Sequence, residues 1–131
     1  MENIKKFLKN DKFAEYVGIE LLEVSKGRAK AKMEIKNYHL NGINTVQGGA
    51  IFTLADLVLA AASNSHGNIA VNINTNISYL KAATRGTLIA EAKEISINPK
   101  LATYTVHITN ENGEIIAIFQ GMVYRKKEKI K

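Results

Sequence analysis

One stretch, residues 46–64, limits the fold more than any other part of the chain. It reads VQGGAIFTLADLVLAAASN, begins near the glycine pair Gly48 and Gly49, and contains a single charge, Asp56. A helix that is apolar on nearly every side is a core helix or a membrane span. A span needs roughly 20 predominantly apolar residues, and this run is shorter and interrupted. We therefore predict a helix wrapped by the rest of a soluble domain, with Asp56 placed where a charge is costly.

The flanking segments have the patterns of short helices and strands. Residues 2–16 carry a partial helical stripe that breaks at residues 10–11. Residues 28–36 alternate between apolar and charged side chains, as a half-buried strand does. Further strands are predicted at 19–24, 69–80, 87–97, 101–109 and 114–125. This order indicates an α+β fold in which a largely antiparallel sheet curls around one long central helix, after a short N-terminal helical segment.

The strand at 69–80 is rich in asparagine, which strands disfavour. With regular alternation its asparagines share one face, opposite an apolar face, so they predict a polar wall. The residues are Asn68, Asn72, Asn74 and Asn76.

Composition limits the class of protein. The 131 residues suit one domain, 1–131, and the absence of cysteine excludes disulfides and thiolate metal sites. No signal peptide is visible, so a cytoplasmic location is expected. The net charge of +6 favours anionic partners. The densest basic run, 125–131, lacks aromatic residues for stacking on bases, and we interpret it as a frayed, solvated terminus. We expect neither nucleic acid nor a membrane as a partner.

Several common motifs are absent. The glycine pair is not part of a phosphate-binding loop, and no G-x-G-x-x-G occurs. The three histidines do not show metal-ligand spacing, and no serine lies in a G-x-S-x-G motif. No metal site is predicted.

Asp56 has two interpretations. It is either a structural acid that accepts hydrogen bonds from a loop, or a general base or nucleophile. The helix start at Gly48 and Gly49 offers unpaired N–H groups suited to an oxyanion. Asp56 lies about 12 Å further along the helix axis. Two antiparallel helices across a dimer interface would bring one subunit's Asp56 toward the other's Gly48.

Two runs carry a family resemblance. Residues 41–58 read NGINTVQGGAIFTLADLV, and residues 76–86 read NISYLKAATRG. They resemble the N-G-x-x-x-x-H-G-G-x-x-F-x-L-A-D-x-A and N-I-x-Y-L-x-P-A-x-x-G segments of the hot-dog fold acyl-CoA thioesterases, in particular the phenylacetate-pathway (PaaI-like) group. The likeness extends from residue 38 to the C-terminus. It implies a hot-dog fold, hydrolysis of acyl-CoA without a metal or redox cofactor, and a homotetramer made of two dimers.

The resemblance also implies roles for individual residues. Asp56 matches the catalytic acid, Gly48 the glycine whose N–H polarises the thioester carbonyl, and Asn41 an asparagine near the attacking water. Gln47 replaces the usual histidine, so it can hydrogen-bond the thioester but cannot relay a proton. Asn72 replaces a Ser or Thr that helps to hold the water.

The remaining substrate contacts are implied in the same way. Gly49 completes the helix start, and Lys81, Arg85 and Lys100 fall near positions where such enzymes meet the phosphates of coenzyme A. Solvated turn residues are the alternative for each cation.

The leading hypothesis is therefore an acyl-CoA thioesterase. The alternative is a non-catalytic acyl-CoA-binding hot-dog protein, which Gln47 and Asn72 favour. A hydratase is disfavoured because the paired Asp and His of such sites are not seen at a matching spacing. The acyl group stays open, because four candidate pocket residues suit an aryl or a fatty-acyl chain equally well. These are Phe52, Leu59, Tyr79 and Phe119.

Overall fold

The computed structural model describes all 131 residues. It has three α-helices and six strands. In chain order they are α1 (Glu2–Leu8), α2 (Lys12–Val17), β1 (Ile19–Ser25), β2 (Arg28–Glu34), α3 (Gly48–Asn64), β3 (Asn68–Tyr79), β4 (Thr87–Ile97), β5 (Leu101–Thr109) and β6 (Ile115–Lys129). A 3₁₀ turn, Asn37–His39, lies between β2 and α3.

The strands form one antiparallel sheet in the order β1-β2-β4-β5-β6-β3. The long helix α3 contacts every strand of this sheet, which curls around it. The predicted α+β architecture is confirmed. None of the helices is both long and apolar enough to cross a membrane.

The predicted break in the N-terminal segment is also confirmed. α2 begins after Asp11, whose side chain accepts a hydrogen bond from the Ala14 N–H at 3.0 Å. It ends at Gly18, whose φ of 93° lies in the left-handed region that favours glycine. Both ends of this short helix are therefore determined by local side-chain and backbone chemistry.

The prediction of a frayed C-terminal tail is wrong, although most of its side chains are exposed, as predicted. β6 continues to Lys129, which pairs with Asn68 at the start of β3. The Ile130 N–H then donates to the Gly67 carbonyl at 2.8 Å. The strand is hard to recognise from the sequence because its last residues are basic and show no apolar alternation. Its backbone hydrogen bonds come from β3, which begins just after α3 and needs a partner there.

The prediction of a single asparagine face is wrong for Asn72. In the register of β3 with β6, Asn72 lies opposite Val123, and Asn74 lies opposite the residue just before Val123. Ile73 is therefore an extra residue, which forms a β-bulge. Val123 is buried on the inner side of the sheet, so the bulge turns Asn72 toward α3 while Asn74 faces outward.

Polar contacts anchor the C-terminal end of α3. Ser65 Oγ accepts a hydrogen bond from the Gly27 N–H at 2.8 Å. His66 Nε2 lies 2.7 Å from Glu94 Oε1, and the Tyr104 hydroxyl donates to the same oxygen at 2.6 Å. Burial alone would raise the pKa of Glu94, but the bonds from Tyr104 and His66 hold it below its usual 4.5.

α3 approaches the sheet closely where β6 has a glycine. A Cβ at Gly121 would lie 2.8 Å from Leu59 Cδ2 and 3.1 Å from a ring carbon of Phe119. Both of these side chains are fully buried, so neither can move aside without disturbing the core. The helix-to-sheet spacing therefore depends on the absence of a side chain at this position.

We expect Gly121→Ala to lower the free energy of unfolding by about 1–3 kcal/mol, because the added methyl overpacks the core. Urea denaturation followed by circular dichroism measures this change. Gly42→Ala is the matched control, since a Cβ there meets nothing within 4 Å. Equal denaturation midpoints for the two variants would contradict the packing argument.

Candidate active site

Asp56 lies on the side of α3 that the sheet leaves partly open. Leu54, Ala55 and Leu57 are buried, whereas Asp56 and Ala60 keep some exposure. The expectation that the domain wraps the helix therefore holds for every side except one stripe. The stripe runs from the helix start through Asp56 toward the C-terminal end. It consists of Gly49, which is exposed, and the partly exposed residues Phe52, Thr53, Asp56 and Ala60.

The Asp56 carboxylate has one hydrogen-bond donor and no cation beside it. Asn72 Nδ2 donates to Asp56 Oδ1 at 3.2 Å, a contact that the β3 bulge makes possible. Burial raises the pKa of Asp56 above its usual 3.8, and the negative charge of Asp11 raises it further. The bond from Asn72 opposes both effects. A carboxylate with this balance is more basic than an exposed aspartate.

The start of α3 presents two free hydrogen-bond donors. Gln47 is the N-cap, and its Oε1 accepts from the Gly49 N–H at 2.7 Å. The Gly48 N–H makes no hydrogen bond, and neither does Gln47 Nε2. These two donors lie at the positive end of the helix dipole, where a developing negative charge is stabilised.

A side chain at either glycine would meet a close neighbour. A Cβ at Gly48 would lie 3.0 Å from Cζ and the hydroxyl oxygen of Tyr79. The Tyr79 hydroxyl donates to the Gly48 carbonyl at 2.9 Å, and burial raises the pKa of Tyr79, so this donor stays protonated. A Cβ at Gly49 would lie 2.5 Å from Gln47 Oε1 and would displace the cap.

Within one chain the predicted site residues form two separate groups. Asp56 and Asn72 are in contact, and Gln47, Gly48 and Gly49 form the helix start. The two groups lie about 12 Å apart along α3, because each residue adds 1.5 Å to a helix.

Asn41 uses its side chain within its own loop. Its Oδ1 accepts from the N–H groups of Ile43 and Thr45, at 3.0 and 3.1 Å, and its Nδ2 donates to the Thr45 hydroxyl at 2.9 Å. This loop leads into the helix start, so Asn41 shapes the approach to Gln47.

The three predicted cations do not lie together. Lys81 forms an ion pair with Glu114, whereas Arg85 and Lys100 are exposed and form none. Arg85 precedes β4 and Lys100 follows it, so the length of that strand, about 33 Å, separates them. One coenzyme A molecule cannot contact Arg85 and Lys100 of the same chain unless it extends along the whole length of β4.

Two of the four candidate pocket residues, Leu59 and Phe119, are fully buried in the core. The structure shows instead a groove of about 430 Å³ beside the helix start. It is lined by Phe13, Tyr16, Val17, Tyr38, His39, Leu40, Gln47, Gly49, Ala50 and Thr53. The sequence signal for this groove is weak, because its aromatic residues come from two segments that only the fold brings together.

No group of three or more His, Cys, Asp or Glu side chains is arranged to hold a metal ion. The chemistry available at these positions is that of one basic carboxylate and a set of neutral hydrogen-bond donors. Such groups suit proton transfer and the stabilisation of an oxyanion.

The chain is similar to known proteins over nearly its whole length. A protein of Archaeoglobus fulgidus is 45% identical over 130 residues, which cover 98% of this chain and 84% of that protein. The acyl-coenzyme A thioesterase PaaI of Escherichia coli is 31% identical over 95% of this chain and 89% of its own. The solved structure of Escherichia coli PaaI matches with a TM-score of 0.95, covering 99% of this chain and 95% of that one.

A solved Streptococcus mutans protein bound to acetyl CoA is 25% identical, with a TM-score of 0.82 over 87% of this chain and 92% of its own. The family model described as Thioesterase superfamily matches residues 43–117, the span from the loop before α3 into β6. The predicted hot-dog fold and the predicted resemblance to PaaI-like proteins are confirmed by these matches. The matched span is more than half of the sequence and contains Gly48, Asp56 and Asn72, so this chain belongs to the thioesterase superfamily.

Proposed function

We propose that this protein is an acyl-CoA thioesterase that hydrolyses a thioester to a free acid and coenzyme A. The observation that carries the proposal is Asp56, a partly buried carboxylate with a raised pKa on the open stripe of α3. The name of the Escherichia coli relative and the acetyl CoA bound to the Streptococcus mutans relative support a coenzyme A thioester as the substrate. We further propose that it acts in the cytoplasm.

In the reaction Asp56 takes a proton from water, and the oxygen of that water attacks the thioester carbonyl carbon. The carbonyl oxygen becomes an oxyanion, which accepts hydrogen bonds from the Gly48 N–H and from Gln47 Nε2. When the oxyanion collapses, the carbon–sulfur bond breaks, and the thiolate of coenzyme A takes the proton from Asp56. Direct attack by the carboxylate, followed by hydrolysis of the resulting anhydride, is the second possible route.

The active site is completed by a second copy of the chain. Asp56 and Gly48 of one chain are about 12 Å apart along the helix, which is too far for one thioester group to contact both. The open stripe of α3 and the free edge of β3, the last strand of the sheet, are the surfaces that a second copy would cover. Antiparallel pairing there brings each Asp56 toward the partner's helix start. We propose a tetramer made of two such dimers.

Neighbouring residues tune and orient this site. Asn72 holds the Asp56 carboxylate and also offers a neutral donor near the attacking water. Asn41 and Gly49 maintain the loop and the cap that fix Gln47.

Of the three cations predicted to bind the phosphates of coenzyme A, Arg85 and Lys100 form no ion pair, and Lys81 must first release Glu114. Because Arg85 and Lys100 are at opposite ends of β4, different chains supply them to one ligand.

We expect Asp56→Asn to reduce kcat by about 10²–10⁴-fold, because it removes the base and keeps the shape of the side chain. The raised pKa means that the folded state disfavours the charged carboxylate, so the variant's thermal unfolding midpoint at neutral pH should not fall. Thiol release from a panel of acyl-CoA substrates measures the rate. A variant as fast as the wild type on its best substrate would contradict the mechanism.

The same panel separates the enzyme from the binding-protein alternative, which Gln47 in place of histidine favours. Isothermal titration calorimetry with each acyl-CoA gives affinity independently of turnover. Tight binding without thiol release by the wild type would support a non-catalytic acyl-CoA-binding protein.

We expect the acid limb of kcat/KM to have its midpoint above pH 3.8, because activity requires the Asp56 carboxylate and its pKa is raised. Asn72→Ala removes the hydrogen bond that lowers this pKa, so the limb should move to higher pH. Asn74→Ala is the control, because Asn74 lies on the outer face of the same strand. Identical acid limbs for both variants would show that Asn72 does not tune Asp56.

We expect co-expressed Asp56→Asn and Gly48→Val chains to recover activity that neither homo-oligomer shows. Each mixed dimer has one intact site, so random pairing should give about a quarter of the wild-type rate. Light scattering on the same sample confirms the oligomer. No recovery in verified mixed dimers would place both groups of the site on one chain.

A further inference from the structure

His39 is a buried polar residue to which the proposed mechanism gives no role. It ends the 3₁₀ turn between β2 and α3, and 4% of its surface is exposed. Its ring packs edge-on against Tyr38 at a centroid distance of 4.6 Å. It also lines the groove beside the helix start, next to Gln47 and Gly49.

The hydrogen bonds of the ring determine its tautomer. Nδ1 lies 2.9 Å from the Lys36 backbone nitrogen, which can only donate, so Nδ1 is the acceptor. Nε2 therefore carries the proton and donates it to the Val17 carbonyl at 2.7 Å. Val17 is the last residue of α2, so the ring connects the turn to the end of that helix.

The backbone of His39 makes a third connection. Its carbonyl accepts the Gln47 N–H at 2.8 Å, directly before Gly48. One residue thus joins α2, the 3₁₀ turn and the residue that caps α3. The connection is rigid, because the ring is buried and both of its nitrogens are bonded.

We propose that His39 is a positioning residue for thioester hydrolysis, which holds Gln47 and the Gly48 N–H in place through its two ring hydrogen bonds and its carbonyl. This inference rests on the proposed function, in which that N–H stabilises the oxyanion. Misplacement of a reacting group by about 1 Å can reduce a rate by about 10²-fold.

Loss of the His39 side chain should lower kcat and leave KM nearly unchanged. The Gly48 N–H is needed most when negative charge develops on the carbonyl oxygen, so its displacement weakens transition-state binding more than substrate binding. A purely structural histidine would instead lower the amount of folded protein and leave kcat per folded site unaltered.

Three substitutions separate the hydrogen bonds of the ring. His39→Leu removes both, His39→Asn keeps an acceptor near the position of Nδ1 for the Lys36 N–H, and His39→Gln keeps a donor near the position of Nε2 for the Val17 carbonyl. The matched control is His66→Leu. His66 is also bonded and largely buried, but it lies beyond the opposite end of α3, against Glu94.

All variants are assayed by thiol release at a temperature well below each unfolding midpoint, with rates normalised to folded protein. We expect His39→Leu to lose about 10- to 100-fold in kcat, at least one of the two amide variants to recover part of that loss, and His66→Leu to keep the wild-type kcat. A wild-type kcat in His39→Leu, an equal loss in His66→Leu, or no recovery by either amide variant would overturn the positioning role.

Asp56→Asn in the same assay distinguishes failure of the positioning role of His39 from failure of the proposed function. If Asp56→Asn loses activity while His39→Leu does not, the positioning role fails and the proposed function stands. If Asp56→Asn keeps the wild-type rate, the proposed function fails and the role of His39 fails with it.

Discussion

The close packing of α3 against the inner side of the sheet is the constraint on which the rest of the structure depends. Small residues make this approach possible, with Gly121 directly beneath Leu59. Alanines on β2 and β4, including Ala31 and Ala90, are fully buried beneath the helix. Each small residue lets the sheet curl closer and removes more apolar surface from water, which is the main favourable term in folding.

The same packing determines where a charge can be placed. A helix wrapped by a single curled sheet keeps one stripe uncovered, and the only charged residue of α3, Asp56, lies there. Full burial of a carboxylate without a cation would cost too much, whereas full exposure would give it the pKa of an ordinary aspartate. Partial burial with one donor, Asn72, keeps the carboxylate ionisable and makes it more basic. The geometry of the fold therefore produces the chemistry of the site.

Much of this fold could be predicted from the sequence, because its elements have clear periodicity and clear ends. The apolar run of α3 and the alternation of β2 both depend on neighbours in the chain. The C-terminal extension of β6 could not be predicted, since charged residues show no apolar alternation and the partner strand lies far away in sequence.

The site was predictable only in part for the same reason. Asp56 and the glycine pair are recognisable as a motif, but the contact of Asn72 with Asp56 depends on a bulge that no turn residue marks. The contacts of His39 have no sequence signal either, because its partner, the Val17 carbonyl, is a backbone group of another element. Backbone groups have no signature in the sequence, so such bonds become visible only when the chain is folded.

The two ends of α3 show how the chain distributes its hydrogen bonds. At the C-terminal end, three consecutive side chains form hydrogen bonds with other elements. Asn64 accepts from a backbone N–H of β3, Ser65 accepts from the Gly27 N–H, and His66 pairs with Glu94. At the N-terminal end the Gln47 side chain accepts a hydrogen bond from the Gly49 N–H, and the Gly48 N–H is left free. The first N–H groups of a helix have no partner within the helix, and Gly48 is the partly exposed first residue of α3, so its N–H stays available to water or to a ligand. A free donor at the positive end of the helix dipole suits a developing negative charge, whereas the polar side chains at the C-terminal end are already bonded to neighbouring elements.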